Sequence, residues 1–264
     1  MNLPKIFAAT IFLLISALSW GAVDNPRWVE ESNDPTLWTL ARGILKDELA
    51  PVDPRIRRPY KYIARILRTD DFALVLIGER PGRSYHQILD YFKAFTIDLT
   101  TRRKSAVADT GFYLWRFVKW AYLDASPIPD TLFEFESCVE CESYNLLGSF
   151  QFDAKEKQWT LRGWPEDGTE IPIGTDGQHG DQEDYHITCL YAVQDLTKDG
   201  RDDIATYCRT IGEKTGMQAA TATLYTVTPA GPEKRELGSD AAKALRQQLC
   251  TKNLKKEIKE DLCQ

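Results

Sequence analysis

The spacing of hydrophobic residues changes near residue 130. Between about residue 34 and residue 124 many apolar side chains recur three or four positions apart, which is the spacing of one face of an amphipathic helix. Asp34-Pro35 is typical of a helix start, with an aspartate cap followed by proline in the first turn. This half of the chain therefore predicts helices in PTLWTLARGILKDEL, RRPYKYIARIL, YHQILDYFKAFTIDL and DTGFYLWRFVKWAYLD.

Two segments of this half leave alternatives open. FALVLIG, residues 72–78, is a short apolar run that fits either a buried strand or a helical turn, and we favour the helical turn. The last of the four segments is crowded with aromatic residues, which favours the centre of a helical bundle over a ligand-stacking face.

After residue 130 the apolar residues alternate with polar ones, which is the pattern of half-buried strands. The alternating segments are LFEFESC, GSFQFD, QWTLRGW, YHITCLYAV, IATYCRT and ATLYTVT. A helix is predicted from about Ser239, followed by a Lys- and Glu-rich helical tail to Cys263. The predicted fold class is thus α+β, with a helical half at 22–129 and an antiparallel β half with a C-terminal helix at 130–264.

The first 21 residues have the layout of a secretory signal peptide. Lys5 precedes an apolar run from Ile6 to Leu18, and small residues permit cleavage after Ser19 or Gly21. This run is shorter than the roughly 20 residues that a membrane-spanning helix needs, although an uncleaved anchor is the alternative. We therefore expect an exported protein, periplasmic or secreted, that is not an integral membrane protein.

The charge of the chain bears on its partners. The formal net charge is −6, and loss of residues 1–21 would leave 32 basic against 39 acidic residues, which is −7. A nucleic-acid partner would need a basic face, so we expect none. The expected partner is an envelope protein or a cell-wall component of unknown identity.

All six cysteines lie after residue 137. An even number in an exported chain indicates structural disulfides. Cys189 and Cys208 are symmetric about the middle of an aspartate-rich segment, so two strands folding back there would place them opposite each other as a disulfide pair.

The other four cysteines offer more than one interpretation. Cys138 and Cys141 have the spacing of a redox pair, but the neighbouring glutamates raise thiol pKa values, so a structural disulfide is favoured over thiol chemistry. Cys250 and Cys263 are the remaining pair, and a bond between them requires a helix break near 251–253, because 13 residues of straight helix span about 20 Å.

The segment DLTKDGRDD, residues 195–203, carries the most specific chemistry in the sequence. Carboxylate and hydroxyl side chains alternate along it, and a glycine stands at its sixth position, where a backbone turn would let the next carbonyl point inward. Calcium prefers six to eight such oxygen ligands. The alternative is a plain hairpin, because Asp-Gly forms turns without a metal.

This segment resembles the calcium loop of VCBS/FG-GAP repeat proteins, Asp-x-Asp/Asn-x-Asp-Gly-x-x-Asp followed by an apolar strand. The resemblance implies a Ca²⁺ site, and it assigns the ligands Asp195, Thr197, Asp199, Arg201 through its carbonyl, and Asp203. Thr197 departs from the family pattern, which has Asp or Asn there. The resemblance covers about 15 residues and is found once, so it does not imply the repeat fold of that family.

Evidence for catalysis is thin. The loop at 176–186 gathers acidic and histidine side chains but matches no standard zinc pattern, and it is typical of a solvated acidic loop. The sequence thus favours an exported binding or interaction protein with a structural calcium loop. The alternative is an envelope enzyme, either a thiol oxidoreductase at Cys138 and Cys141 or a hydrolase using residues 176–186.

Overall fold

Strands dominate the chain on both sides of residue 130. The computed structural model describes residues 26–50, 61–79, 91–110, 114–139, 142–165, 168, 170–177, 185–212, 218–251 and 256–263. The strands are β1 Arg27–Val29, β2 Lys61–Arg68, β3 Phe72–Glu79, β4 Tyr91–Asp98, β5 Lys104–Thr110, β6 Leu114–Ala121, β7 Asp130–Val139, β8 Glu142–Asp153, β9 Gln158–Leu161, β10 Glu170–Gly177, β11 Tyr185–Gln194, β12 Asp203–Gly212, β13 Gln218–Thr228 and β14 Gly231–Glu236. The helices are α1 Pro35–Ile44, α2 Lys46–Leu49, α3 Ser239–Cys250 and α4 Lys256–Cys263.

The strands form two antiparallel sheets. The smaller has the order β1-β2-β3-β4-β5, and the larger has the order β14-β13-β12-β11-β10-β8-β7-β6, with β9 paired to β8. Strands β6 and β7 lie on either side of residue 129 and are hydrogen-bonded neighbours. The division of the chain into units at 22–129 and 130–264 remains a prediction.

The predicted helical N-terminal half is wrong. Among the described residues of this half, only the first segment is helical, as α1 and α2. The Asp34 carboxylate accepts a hydrogen bond from the Leu37 N–H at 2.9 Å. The segment at residues 61–68 is strand β2, and the apolar run at 72–78 is the buried strand β3 rather than a helical turn. The described parts of the other two predicted helices lie mainly in strands β4 and β6.

A β-bulge in each strand explains why β2 and β6 have helical spacing. Strand register shifts between Ile63 and Arg65 in β2, so that Ile63 and Ile66 face the same core cluster although they are three positions apart. A second shift follows Phe117 in β6, and it places Phe117 and Trp120 against the same cluster. Because a bulge adds one residue to a strand, it converts the two-residue period into an interval of three.

The centre of the smaller sheet is buried on both faces. Helix α1 covers one face through Leu37, Trp38 and Ala41, which pack with Ile66 and Val75. The opposite face packs on β7, β8 and β9 of the larger sheet. Burial on both faces accounts for the continuous apolar run of β3.

The larger sheet curls strongly. The Tyr191 hydroxyl of β11 donates a hydrogen bond to Glu134 of β7, although β8 and β10 lie between these strands. In a flat sheet β7 and β11 would be about 14 Å apart, given the usual spacing of about 4.8 Å between neighbours. We call the concave face the inner face. Its apolar cluster draws on β6, β7, β8, β10, β11, β12 and β13.

The C-terminal helices cover the outer face of β11, β12 and β13. Leu245 and Leu249 of α3 and Leu262 of α4 pack on this part of the sheet. The predicted helix from Ser239 is present as α3, and the required break follows at Thr251. No helix among the described residues has the length and apolar character to cross a membrane. The predicted signal peptide lies outside the described residues.

Candidate functional site

The aspartate loop joins β11 to β12. The two strands pair from Tyr185↔Gly212 to Gln194↔Asp203, which leaves residues 195–202 as the connection. Cys189 and Cys208 are direct partners in this register, and a disulfide joins them across the strands with a Cα–Cα distance of 4.0 Å. The predicted pairing is therefore confirmed, and it ties the two strands together below the loop.

Asp195 folds the first part of the loop around its own carboxylate. Its Oδ1 accepts a hydrogen bond from the Asp199 N–H at 3.1 Å, and its Oδ2 accepts one from the Gly200 N–H at 3.0 Å. Lys198 and Gly200 have φ angles of 63° and 85°, so the chain twice enters the left-handed region that glycine adopts most easily.

Asp203 closes the loop from the other side. It is 1% exposed, and its Oδ2 accepts hydrogen bonds from the N–H groups of Leu196 and Thr197, each at 2.8 Å. A buried carboxylate is stable when it is hydrogen-bonded. The two backbone N–H groups of the loop therefore compensate for the burial of the Asp203 carboxylate.

Asp199 is paired with a cation from its own loop. The Arg201 guanidinium donates to Asp199 Oδ2, with its Nε at 3.0 Å. This hydrogen bond holds the pKa of the Asp199 carboxyl below its ordinary value, and the Thr197 hydroxyl adds a smaller effect in the same direction. Both residues are partly exposed, so the ion pair is accessible to solvent.

The residues of the loop fit calcium in type but are not assembled around one point. Carboxylate, hydroxyl and carbonyl oxygens occur at the expected positions, and the sixth residue has the positive φ that the sharp turn requires. Within the part of the chain that the structure describes, no three His, Cys, Asp or Glu side chains form a group that could hold a metal ion. The carboxylates of Asp195, Asp199 and Asp203 instead bond to backbone N–H groups and to Arg201.

Two other hairpins, β4–β5 and β8–β9, also have an aspartate where the turn begins, and they serve for comparison with the aspartate loop. Asp98 accepts hydrogen bonds from the N–H groups two and three positions later, and so does Asp153. Each is followed four positions later by a residue with positive φ, Arg102 at 58° and Lys157 at 56°. Aspartate caps are thus general in this fold, whereas the extra aspartates and the Asp-Gly step occur in the aspartate loop.

Asp202 anchors the aspartate loop to β6, a contact that the sequence did not predict. The Asp202 N–H donates to the Tyr122 carbonyl at 2.7 Å, and the Tyr122 N–H donates back to Asp202 Oδ2 at 3.0 Å. Lys119 reaches Asp202 Oδ1 at 3.2 Å and the Val193 carbonyl at 3.3 Å. The loop is therefore attached to the edge strand that curls back toward it.

The remaining predicted site residues divide into two groups. Cys250 and Cys263 form the second disulfide, with a Cα–Cα distance of 5.7 Å, which confirms that pairing. Cys141 and the side chain of Cys138 lie outside the described residues, as do the side chains of the acidic and histidine loop at 176–186. The thiol and hydrolase interpretations thus remain predictions.

Comparisons with protein-family models, with curated proteins and with solved structures gave no match to this chain.

Proposed function

We propose that this chain is an exported binding protein in which the aspartate loop binds calcium and so fixes the β11–β12 hairpin. The observation that carries the proposal is the position of the loop. It holds three carboxylates of the calcium pattern at the tip of a disulfide-joined hairpin, and the adjacent Asp202 attaches that tip to β6. A cation bound here would stabilise a junction between the hairpin and the edge of the curled sheet.

The calcium ligands under this proposal are Asp195, Thr197, Asp199, Asp203 and the carbonyl of Arg201. Binding would require Asp199 to exchange the Arg201 guanidinium for the metal. Such an exchange is chemically reasonable, because both are cations and because calcium also relieves repulsion among the carboxylates. The ion would act by holding the loop and would not take part in a reaction.

Two disulfides support the exported location. Both join described segments of the chain, and disulfides persist in oxidising compartments outside the cytosol. The partner under this proposal is an envelope protein or a cell-wall component.

Thermal unfolding with and without calcium tests the loop. A ligand that binds the folded state stabilises it by about 2.7 kcal/mol at a free concentration 100 times its Kd. We therefore expect the melting temperature to rise in millimolar calcium and to fall back after chelation. An unchanged melting temperature at millimolar calcium would refute the site.

Two variants separate the calcium site from ordinary hairpin capping. Asp195→Asn removes one negative charge from the aspartate loop and should abolish the calcium-dependent shift. Asp153→Asn makes the same change in the β8–β9 hairpin, where the aspartate is also a backbone cap, and should retain the full shift. Loss of the shift in both variants would mean that calcium acts on the protein in some other way.

Crosslinking in an envelope preparation tests the binding role. The wild-type chain should capture the same partner more strongly in calcium than in chelator, and Asp195→Asn should not show this difference. Equal capture under all conditions would separate partner binding from the aspartate loop.

A further inference from the structure

A cavity opens where the edges of the two sheets meet, beside the aromatic-rich segment for which a ligand-stacking face is the less favoured alternative. Its volume is about 380 Å³, and the described residues that line it are Trp28, Arg65, Arg116 and Phe117. Trp28 belongs to β1 and Arg65 to β2 of the smaller sheet, while Arg116 and Phe117 belong to β6, the edge of the larger sheet. Ligand pockets commonly have volumes of about 300–1,000 Å³.

The bulge in β2 directs Arg65 toward this cavity. Ile63 and Ile66 both pack in the cluster beneath α1, whereas Leu67 packs against the larger sheet. The register shift after Ile63 therefore places Arg65 on the same face as Leu67. At the rim of that face the Arg65 side chain is exposed.

Arg116 is positioned by a chain of hydrogen bonds across the inner face of the larger sheet. Its guanidinium lies 2.5 Å from a carboxylate oxygen of Glu134, which also accepts a hydrogen bond from the Tyr191 hydroxyl. Glu134 is 23% exposed and Arg116 is 75% exposed, so the anchor is sheltered while the cation faces solvent. A guanidinium carries five N–H donors, more than one carboxylate accepts.

Aromatic rings form the apolar wall of the cavity. The Trp28 ring lies 5.7 Å from the rings of Phe117 and Trp120, and Phe117 lies 4.9 Å from Trp120. Packed rings in mutual contact keep their orientation, so they present a rigid flat surface at little entropic cost. The cavity thus combines two cations with an apolar wall.

We infer that this cavity binds a small anionic ligand in which a carboxylate, sulfonate or phosphate group lies next to a flat apolar group. Guanidinium groups recognise such anions through paired N–H donors, and aromatic rings accept the apolar part. The chain as a whole is negatively charged, at −6, so the anion is attracted by this local pair and not by the overall field. The inference rests on the proposed role as a binding protein and gives that role a ligand class.

Isothermal titration of the full disulfide-bonded protein with three probes tests this ligand class. 2-Naphthoate has both the anion and the flat group, 2-naphthamide lacks the charge, and acetate lacks the rings. We expect 2-naphthoate to bind at least tenfold more tightly than either of the others. Equal binding of 2-naphthoate and 2-naphthamide, or no binding of 2-naphthoate at millimolar concentration, would overturn the inference.

Single arginine variants locate the binding. Arg65→Gln and Arg116→Gln should each weaken 2-naphthoate binding at least fivefold while the folded circular dichroism spectrum is retained. Arg235→Gln removes the same charge from an exposed position on β14, which forms the opposite edge of the larger sheet from β6. This variant should leave the affinity unchanged. If all three variants weaken binding equally, the anion is attracted by charge alone and the cavity is not its site.

The same titration in the Asp195→Asn variant keeps this inference separate from the calcium proposal. That residue is in the aspartate loop and does not line the cavity. We expect Asp195→Asn to bind 2-naphthoate as the wild type does, even where its calcium response is lost. Loss of 2-naphthoate binding in this folded variant would contradict the assignment to the cavity.

Discussion

Arg201 and calcium would compete for the carboxylate of Asp199. The guanidinium holds that carboxylate within the loop and lowers its pKa, yet the family pattern uses residue 201 only through its backbone carbonyl. The side chain of Arg201 is therefore expected to oppose calcium binding, while the backbone of the same residue supports it.

Replacement of the side chain tests this opposition. Arg201→Gln should bind calcium about two- to fivefold more tightly than the wild type, because partly exposed ion pairs have modest strength. Isothermal titration with calcium measures the effect, and Lys198→Gln serves as the control, since it removes a positive charge from the same loop. A general effect of loop charge would give both variants the same affinity gain.

The sequence identified some single residues and missed others for a physical reason. Cys189 and Cys208 were recognisable because symmetry about a turn predicts opposition in a hairpin. Asp202 was not, because its partner Tyr122 is 80 positions away and the contact depends on the curl of the sheet. Local spacing records contacts within a hairpin and carries no information about contacts between distant strands.

At the scale of elements, the Cys189–Cys208 disulfide should affect calcium binding by the aspartate loop. A bond that closes about 20 residues contributes roughly 3 kcal/mol by limiting the unfolded chain. It also holds the strand ends from which the loop begins. Cys189→Ser/Cys208→Ser should therefore lower both the stability and the calcium affinity of the protein.

The second disulfide is the matched control for this prediction. Cys250 and Cys263 join α3 to α4 on the outer face of the sheet, and their sequence separation of 13 residues gives a similar entropic contribution. Cys250→Ser/Cys263→Ser should lower the stability to unfolding by urea and leave the calcium affinity unchanged. Equal losses of calcium affinity in the two double variants would show that the affinity follows global stability.

The N-terminal half shows where hydrophobic periodicity fails to distinguish strands from helices. Intervals of three between Ile63 and Ile66, and between Phe117 and Trp120, come from bulges in strands and not from helical turns. The spacing of apolar residues does not reveal a bulge, because a bulge produces the same three-residue interval as a helix. The C-terminal strands were predictable because their apolar and polar residues alternate without interruption, as in β11 and β12. Such alternation is typical of strands.

At the scale of the whole molecule, a buried ion cluster joins segments that are far apart in the chain. Arg162, just after β9, donates to Asp130 Oδ2 at 2.6 Å and Oδ1 at 2.9 Å, and to Asp124 Oδ2 at 2.6 Å. Arg162 and Asp130 side chains are 3% and 2% exposed. The cluster therefore fixes the connection between β6 and β7 against the end of β9.

Removal of the cation from this cluster should destabilise the whole fold. Arg162→Met leaves the Asp130 carboxylate buried without its main partner, which typically costs about 3–5 kcal/mol. Arg162→Met/Asp130→Asn removes the isolated charge as well and should recover at least half of that loss. Urea unfolding at pH 7 measures both, and Arg42→Met, in the exposed pair with Glu31, should change the stability much less.

The loss of stability in Arg162→Met should also depend on pH. Burial raises the pKa of the Asp130 carboxyl and the Arg162 guanidinium opposes that rise, so the pKa in the variant should be higher still. A group whose folded pKa lies above its unfolded value favours the folded state at low pH, and this advantage is lost as pH rises through the folded pKa. The difference in unfolding free energy between wild type and Arg162→Met should thus be smaller at pH 4.5 than at pH 7. The same difference at both pH values would mean that the cost comes from lost packing around Arg162 and not from an isolated carboxylate.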